Sequence, residues 1–239
     1  MKQMWFFILL SLSLNLSAME YIAINYDHFI DKMPKIQKGL WETHFKLYQG
    51  YVAQVNLLNQ LIKTKAGVST FEFQSIKRQL GWEYNGMVLH QLYFENLGGD
   101  GNISPTSPIY KKIKTQWGSY ENWMAEFKKT CNERGVGWSV LYYDRSRDSL
   151  YNAWIADHAD GAFVGAIPLF VVDLWEHAYL CQFGTNRDQY VETIFEYAEW
   201  NVVNERWKNA LCSVKAKEPR KGKPEQSTRA EKTGVKKCN

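Results

Sequence analysis

The chain predicts an α+β protein: two long helices, then a small lobe in which three strands are set among further helices. Three observations carry that reading. Apolar and aromatic residues recur at helical spacing from about residue 37 to residue 97. After residue 136 the pattern changes to short β-branched and aromatic runs. Between the two regimes lies "GGDGNISPTSP", residues 98–108, dense in Gly, Pro and Ser, which reads as a linker or long loop. At 239 residues the chain can build one sizeable core or two small lobes sharing an interface.

The elements follow in order. "MKQMWFFILLSLSLNLSAMEY" carries Lys2, an apolar stretch over residues 4–12 and small residues ending in Ser17-Ala18. That pattern reads as a secretory signal peptide over residues 1–18, too short for a spanning helix, and predicts an exported product, periplasmic or secreted. No other stretch approaches the roughly 20 apolar residues that a membrane span requires. An α-hairpin domain is expected over 19–104, built on "QKGLWETHFKLYQGYVAQVNLLNQLI" and "TFEFQSIKRQLGWEYNGMVLHQLYFENL". An α/β domain over 105–212 opens with a shorter helical pattern, "IYKKIKTQWGSYENWMAEFKKTC". "GWSVLYYD" and "SLYNAWIAD", separated by the polar "RSRD", read as a hairpin. "AIPLFVVD" reads as a third strand, its Pro near the start where a ladder tolerates it. "RDQYVETIFEYAEWNVVNERWKNAL" returns to helix.

Net charge is +4, yet from Ser213 onward there are nine Lys or Arg against three Glu. The tail at 213–239 therefore holds six net positive charges, and the rest of the chain is negative by two. That tail is too poor in apolar residues to offset the entropy of ordering, so it reads as disordered. It also lacks the interleaved aromatics of a nucleic-acid face. The four cysteines, Cys131, Cys181, Cys212 and Cys238, fit an oxidising compartment and allow three complete pairings. The absence of CxxC argues against a zinc ribbon.

Of five histidines, four sit in apolar or aromatic surroundings: His44, His90, His158 and His177. Asp173 ends the third expected strand, and His177 lies on the turn or first helical turn beyond it, four residues on. The pair can reach one metal or one another; a helix-capping Asp beside a hydrogen-bonded core His is the alternative. On the first helix His44, Tyr48 and Tyr51 fall within about 40° of one another, a single stripe of one imidazole and two phenols. His90 lies on the second helix among apolar neighbours, the setting of many core histidines. Should they converge, three neutral imidazoles and one carboxylate form a donor set suited to iron, manganese or zinc.

"DLWEHAYL" at 173–180 resembles the D-x-W-E-H-A-Y signature of the iron/manganese superoxide dismutases. "THFKLYQGYV" and "NGMVLHQLYF" look like the family's two ligand helices, "GVGWSVLYYD" like its Gly-x-Gly-Trp strand and "EWNVVNERW" like its C-terminal helix. The likeness runs from about residue 30 to residue 207. It implies an α-hairpin domain followed by an α/β domain with a three-stranded antiparallel sheet. It implies one iron or manganese ion per subunit, held by His44, His90, Asp173 and His177, and disproportionation of superoxide to dioxygen and hydrogen peroxide. Tyr51 corresponds to the gateway tyrosine, and Trp138 and Trp175 to apolar walls. Glu176 matches the residue that bonds a ligand histidine of the partner subunit, which implies a homodimer through Glu176 and His177.

The resemblance also implies a hydrogen-bond donor beside the metal, which tunes its redox chemistry. Gly86 stands where many iron enzymes place glutamine, and His158 stands where manganese enzymes do. A His there is similar to archaeal and metal-flexible members, which favours iron, or both metals, over strict manganese use. Tyr51 and His158 are thus the expected proton-handling residues. Two departures stand out. The span from His44 to Tyr51 is one residue shorter than usual, so Tyr48 and Tyr51 both remain candidates for the gateway. The usual cross-subunit His–Tyr bond has lost both partners, with Tyr48 near one place and Leu180 in the other. Arg187 is a candidate for steering the anion or for a structural interface role. A non-haem iron oxygenase, a metal-free binding protein and a zinc hydrolase are rival readings. The third His ligand, the full ligand set and the absence of HExxH argue against them in turn.

Overall fold

Helix α1 (Lys38–Thr64) and helix α2 (Thr70–Glu95) pack together as the expected hairpin. The computed structural model describes residues 20–64 and 69–215, with side chains as far as Cys212. The expected signal peptide and nearly all of the expected tail lie outside those residues. Along α1, Leu40, Trp41, His44, Phe45, Tyr48, Val52, Val55 and Leu58 are buried, the three-and-four spacing of a core-facing stripe. Helix α2 begins at Ser69, whose hydroxyl accepts the Glu72 N–H and satisfies one of the donors a helix start leaves free.

Ahead of α1, residues 20–26 form a strap on the hairpin. The Asn56 amide accepts from the Tyr21 N–H (2.9 Å) and donates to the Tyr21 carbonyl (2.8 Å). The Ile24 N–H donates to the Tyr48 hydroxyl (3.1 Å). A 3-10 helix, Asp27–Lys32, then leads into α1.

The helical pattern at 109–131 is two helices, α3 (Pro108–Trp117) and α4 (Tyr120–Cys131). Gly118 breaks it: its φ of +82° is left-handed, its N–H returns to the Lys114 carbonyl, and Ser119 caps the next helix. Strands β1 (Gly137–Asp144), β2 (Ser149–Ala156) and β3 (Ile167–Asp173) form an antiparallel sheet in the order β2-β1-β3. The central strand β1 is buried along almost its whole length, as "GWSVLYYD" with little polar alternation requires. Pro168 lies beside a register shift, where β3 goes from Phe170 opposite Leu141 to Pro168 opposite Tyr142.

Both outer edges of the sheet are met by carboxamides. Asn96, just past α2, accepts from the Val171 N–H (2.9 Å) and donates to the Val171 carbonyl (3.2 Å). Gln116 of α3 does the same for Leu150 on β2, accepting its N–H at 2.8 Å. Three helices complete the described residues: α5 (Glu176–Phe183), α6 (Arg187–Glu196) and α7 (Trp200–Lys215). The continuous pattern at 187–211 is thus interrupted, because Ala198 pairs with Leu97 and the Glu199 N–H bonds the Asn96 carbonyl. The same junction anchors the 98–108 loop, whose Gly99 and Gly101 donate to the Tyr197 and Ala198 carbonyls.

Candidate metal centre

Four side chains from four elements meet between the helical hairpin and the sheet: His44 from α1, His90 from α2, Asp173 from the end of β3 and His177 from the first turn of α5. Their ligand atoms all lie within 4.8 Å of one another. His44 Nε2 and His177 Nε2 are 3.1 and 3.2 Å from Asp173 Oδ2, and His90 Nε2 is 3.6 Å from the same oxygen. His44, His90 and Asp173 are fully buried.

The arrangement asks for a cation. His90 Nδ1 donates to the Gly86 carbonyl at 2.6 Å, which leaves Nε2 of the neutral ring as a bare lone pair facing a carboxylate oxygen. Two buried acceptors so placed repel each other unless a positive ion lies between them, and His90 Nε2 indeed has no hydrogen-bond partner. Burial pushes the His44 and His90 imidazoles to lower pKa, His90 strongly, so both are neutral donors. Burial would raise the Asp173 carboxyl, but His177 and His44 beside it outweigh that effect and hold it far below the usual range. The site thus offers one anion and the neutral rings of His44 and His90 beside His177, a set that suits iron, manganese or zinc. Asp173 is further fixed through Oδ1, which accepts the Trp175 N–H at 2.8 Å.

His158, on the turn after β2, enters this region from the sheet side and is fully buried. Its ring lies 4.6 Å from Trp82, 5.0 Å from Tyr51, 5.3 Å from Trp175 and 5.9 Å from Trp138. Burial lowers its pKa from the ordinary 6.5 to about 4, so the ring is neutral at physiological pH. Among the described residues neither of its ring nitrogens has a hydrogen-bond partner. Gly86 is what makes room for it. A Cβ at position 86 would stand 2.7 Å from Tyr51 Cδ1 and 2.8 Å from His158 Cε1.

Tyr51 and Tyr48 part company here. The Tyr51 ring is 5.0 Å from both His90 and His158. Its hydroxyl is pushed to a high pKa by burial, with the Asp173 and Glu83 charges adding to the effect. Tyr48 is fully buried, and its hydroxyl takes the Ile24 N–H and the Gln91 amide, committing it to the strap. Trp138 lies 4.9 Å from His90, and Trp175 6.0 Å from His177. Glu176 and Leu180 are exposed on α5.

The comparisons with known proteins meet this geometry. The family profile "Iron/manganese superoxide dismutases, C-terminal domain" matches residues 105–206. The iron superoxide dismutase of Pyrobaculum aerophilum is 32% identical over 172 residues, covering 70% of this chain and 82% of that protein. The chain belongs to the iron/manganese superoxide dismutase family. An iron superoxide dismutase of Aquifex aeolicus is 31% identical over 73% of this chain and 85% of its own length. A manganese superoxide dismutase of Halobacterium salinarum is 33% identical over 126 residues, 53% of this chain and 62% of its own length. Relatives of both metal names thus share the family with this dismutase, whose four-ligand cluster is compatible with either ion.

Arg187 takes the structural of its two roles. Its guanidinium donates to the Glu133 and Gly135 carbonyls (2.7 Å each) and to the Tyr179 hydroxyl (3.1 Å), pinning the loop between α4 and β1. His28 sits on the 3-10 helix against Phe29, remote from the centre. Sequence reasoning did not reach two tyrosines. Tyr190 of α6 donates its hydroxyl to the Asp173 carbonyl at 2.8 Å, and Tyr93 of α2 lies behind it at 3.0 Å. A tyrosine buried at zero exposure needs a hydroxyl partner, but its spacing in the sequence does not say which.

Proposed function

We propose that this superoxide dismutase prefers iron and works as an exported homodimer. His158 carries the iron preference. Gly86 leaves space beside Tyr51 for an imidazole in place of a helix-borne glutamine, a combination similar to archaeal and metal-flexible members of the family. Iron supplies, when bound, a centre that takes an electron from one superoxide and returns one to the next. The chain supplies the rest. His44, His90, Asp173 and His177 hold the ion with a single negative charge, so the occupied centre stays cationic toward a small anion. Trp138 and Trp175 wall the site with apolar surface, which strengthens that attraction by excluding water. Forming peroxide takes up two protons. Tyr51, which keeps its hydroxyl proton well into alkaline solution, and the neutral His158 ring stand beside the ligands to hold and orient them.

The dimer reading is supported by Glu176, which is exposed and, among the described residues, makes no hydrogen bond or ion pair within the chain, directly next to the ligand His177. Export is supported by the first 18 residues of the sequence. Among the described residues no helix is long and apolar enough to cross a membrane.

The test is superoxide decay catalysed by the mature chain reconstituted separately with iron and with manganese. Faster decay with iron supports the reading. Equal rates make the site metal-flexible and remove the preference. No catalysis with either metal stoichiometrically bound overturns the function. Sedimentation of Glu176→Ala, expected to be monomeric, tests the interface, and N-terminal sequencing of protein from exported fractions tests the leader.

A further inference from the structure

The open edge of β3 is closed by three side chains rather than by another strand. Arg206 of α7 donates to the Leu169 carbonyl at 2.9 Å, the Asn96 amide pairs with Val171, and Tyr190 donates to the Asp173 carbonyl. Residues 169, 171 and 173 point their carbonyls to the same side of the strand, so each of these carbonyls is taken. The last of them belongs to the carboxylate ligand. Because the Tyr190 hydroxyl gives its proton to that carbonyl, the 3.0 Å contact behind it is filled by Tyr93 donating to Tyr190. Tyr93 and Asn96 lie three and six residues beyond the ligand His90. Helix α2 and the residue that caps it therefore carry a metal ligand, an amide that bonds the strand bearing another, and the tyrosine behind Tyr190. Tyr93, Tyr190, Asn96 and Asp173 are all buried.

Asp173 needs such a hold. It is the last residue of β3 and faces Trp138 across the ladder; beyond it only the Leu174 N–H returns to β1, at Gly137. Strand ends open more readily than strand centres. A buried carbonyl deprived of its donor carries a desolvation penalty that drives the backbone to move.

We propose that Tyr190, backed by Tyr93, is a positioning residue for the metal: its hydroxyl fixes the Asp173 backbone so that Oδ2 stays where the three imidazole nitrogens converge. The proposal rests on the metal-centre reading of this site and adds the residue that sets the place of its only anionic ligand.

Tyr190→Phe removes one hydroxyl and leaves the ring. Two readouts are taken: the rate at which iron passes from the loaded protein to a chelator, and the melting temperatures of metal-free and metal-loaded protein. The expected result is iron release faster by about 10–100-fold, the usual consequence of losing a group that orients a ligand. The metal-loaded form should also lose more stability than the metal-free form, narrowing the gap between their melting temperatures. Tyr93→Phe, which leaves the bond to Asp173 in place, should move both readouts the same way by less. Release within twofold of the unmodified protein, with both melting temperatures lowered equally, overturns the proposal and makes Tyr190 a residue of the fold alone. If Tyr190→Phe does not fold, Tyr93→Phe decides on the same readouts, and unchanged release there overturns it too. The unmodified chain is loaded first; failure to retain one ion per chain refutes the metal-centre reading instead.

Discussion

Two glycines on one helix should respond to the same substitution with opposite sign. Gly81 and Gly86 both lie in α2, and a Cβ at 81 meets nothing within 4 Å. Gly81→Ala should therefore gain the ordinary helix-interior benefit of about 1 kcal/mol. At Gly86 the same methyl would stand 2.7–2.8 Å from the Tyr51 and His158 rings, so these must retreat by about 0.8 Å to reach ordinary contact. They have little room to do so. His158 is boxed by Trp82, Trp138 and Trp175, and Tyr51 leans on His90. Overpacking of this kind costs about 1–3 kcal/mol. Since the propensity gain is common to both variants, their difference in stability reads the clash alone. In a chain of this size that corresponds to roughly 2–12 °C in melting temperature. The assay is thermal unfolding of the two variants, followed by a double-mutant cycle of Gly86→Ala with His158→Ala. Removing the imidazole should relieve part of the clash and give a coupling above about 0.5 kcal/mol. Equal gains at both glycines, or strict additivity in the cycle, would refute the claim that Gly86 exists to admit His158.

Other outcomes follow from the same geometry. His90→Ala and His177→Ala should each lose stoichiometric metal, measured by elemental analysis; full retention by either removes that residue from the ligand set. His158 has a folded pKa of about 4 against 6.5 unfolded, so above pH 6.5 it is neutral in both states and contributes nothing. As pH falls from 6.5 toward 4 the unfolded chain takes up the proton first, and stability declines. His158→Gln should flatten that part of the stability profile, and an unchanged slope would contradict the buried neutral ring. Arg187→Ala strands two backbone carbonyls and should cost about 1–3 kcal/mol in denaturant unfolding; stability equal to the parent would return Arg187 to the role of a free steering charge.

The sequence alone made much of this legible, for identifiable reasons. The hairpin helices could be read because their buried faces repeat at three and four residues over about five turns each, and the strands because their runs are short and rich in β-branched and aromatic residues. The convergence of His44, His90, Asp173 and His177 was foreseen because Asp173 and His177 share the compact "DLWEHAYL" stretch with a family signature. What escaped were features decided by tertiary partners. The patterns at 109–131 and 187–211 keep helical spacing across their breaks, and only the left-handed Gly118 and the pairing of Ala198 with Leu97 interrupt them. That Tyr48 bonds the strap while Tyr51 lies against His90 and His158 was likewise out of reach, since the Ile24 N–H that claims the Tyr48 hydroxyl sits 24 residues away. Arg187 could be sorted only once the two carbonyls it holds were placed. The hold of Tyr190 on Asp173 joins residues 17 apart whose spacing carries no signal.

The carboxamides on the two rims of the sheet have a consequence for how copies of the protein meet one another. A three-stranded sheet normally offers two rows of free backbone groups, each a template on which a strand from another molecule can grow into an aggregate. Here Asn96 occupies the middle of one row at Val171 and Gln116 the start of the other at Leu150, each mimicking the peptide group of an incoming strand. A foreign strand would have to displace an amide that already makes both of its bonds. The molecule carries its own stoppers against edge-to-edge growth.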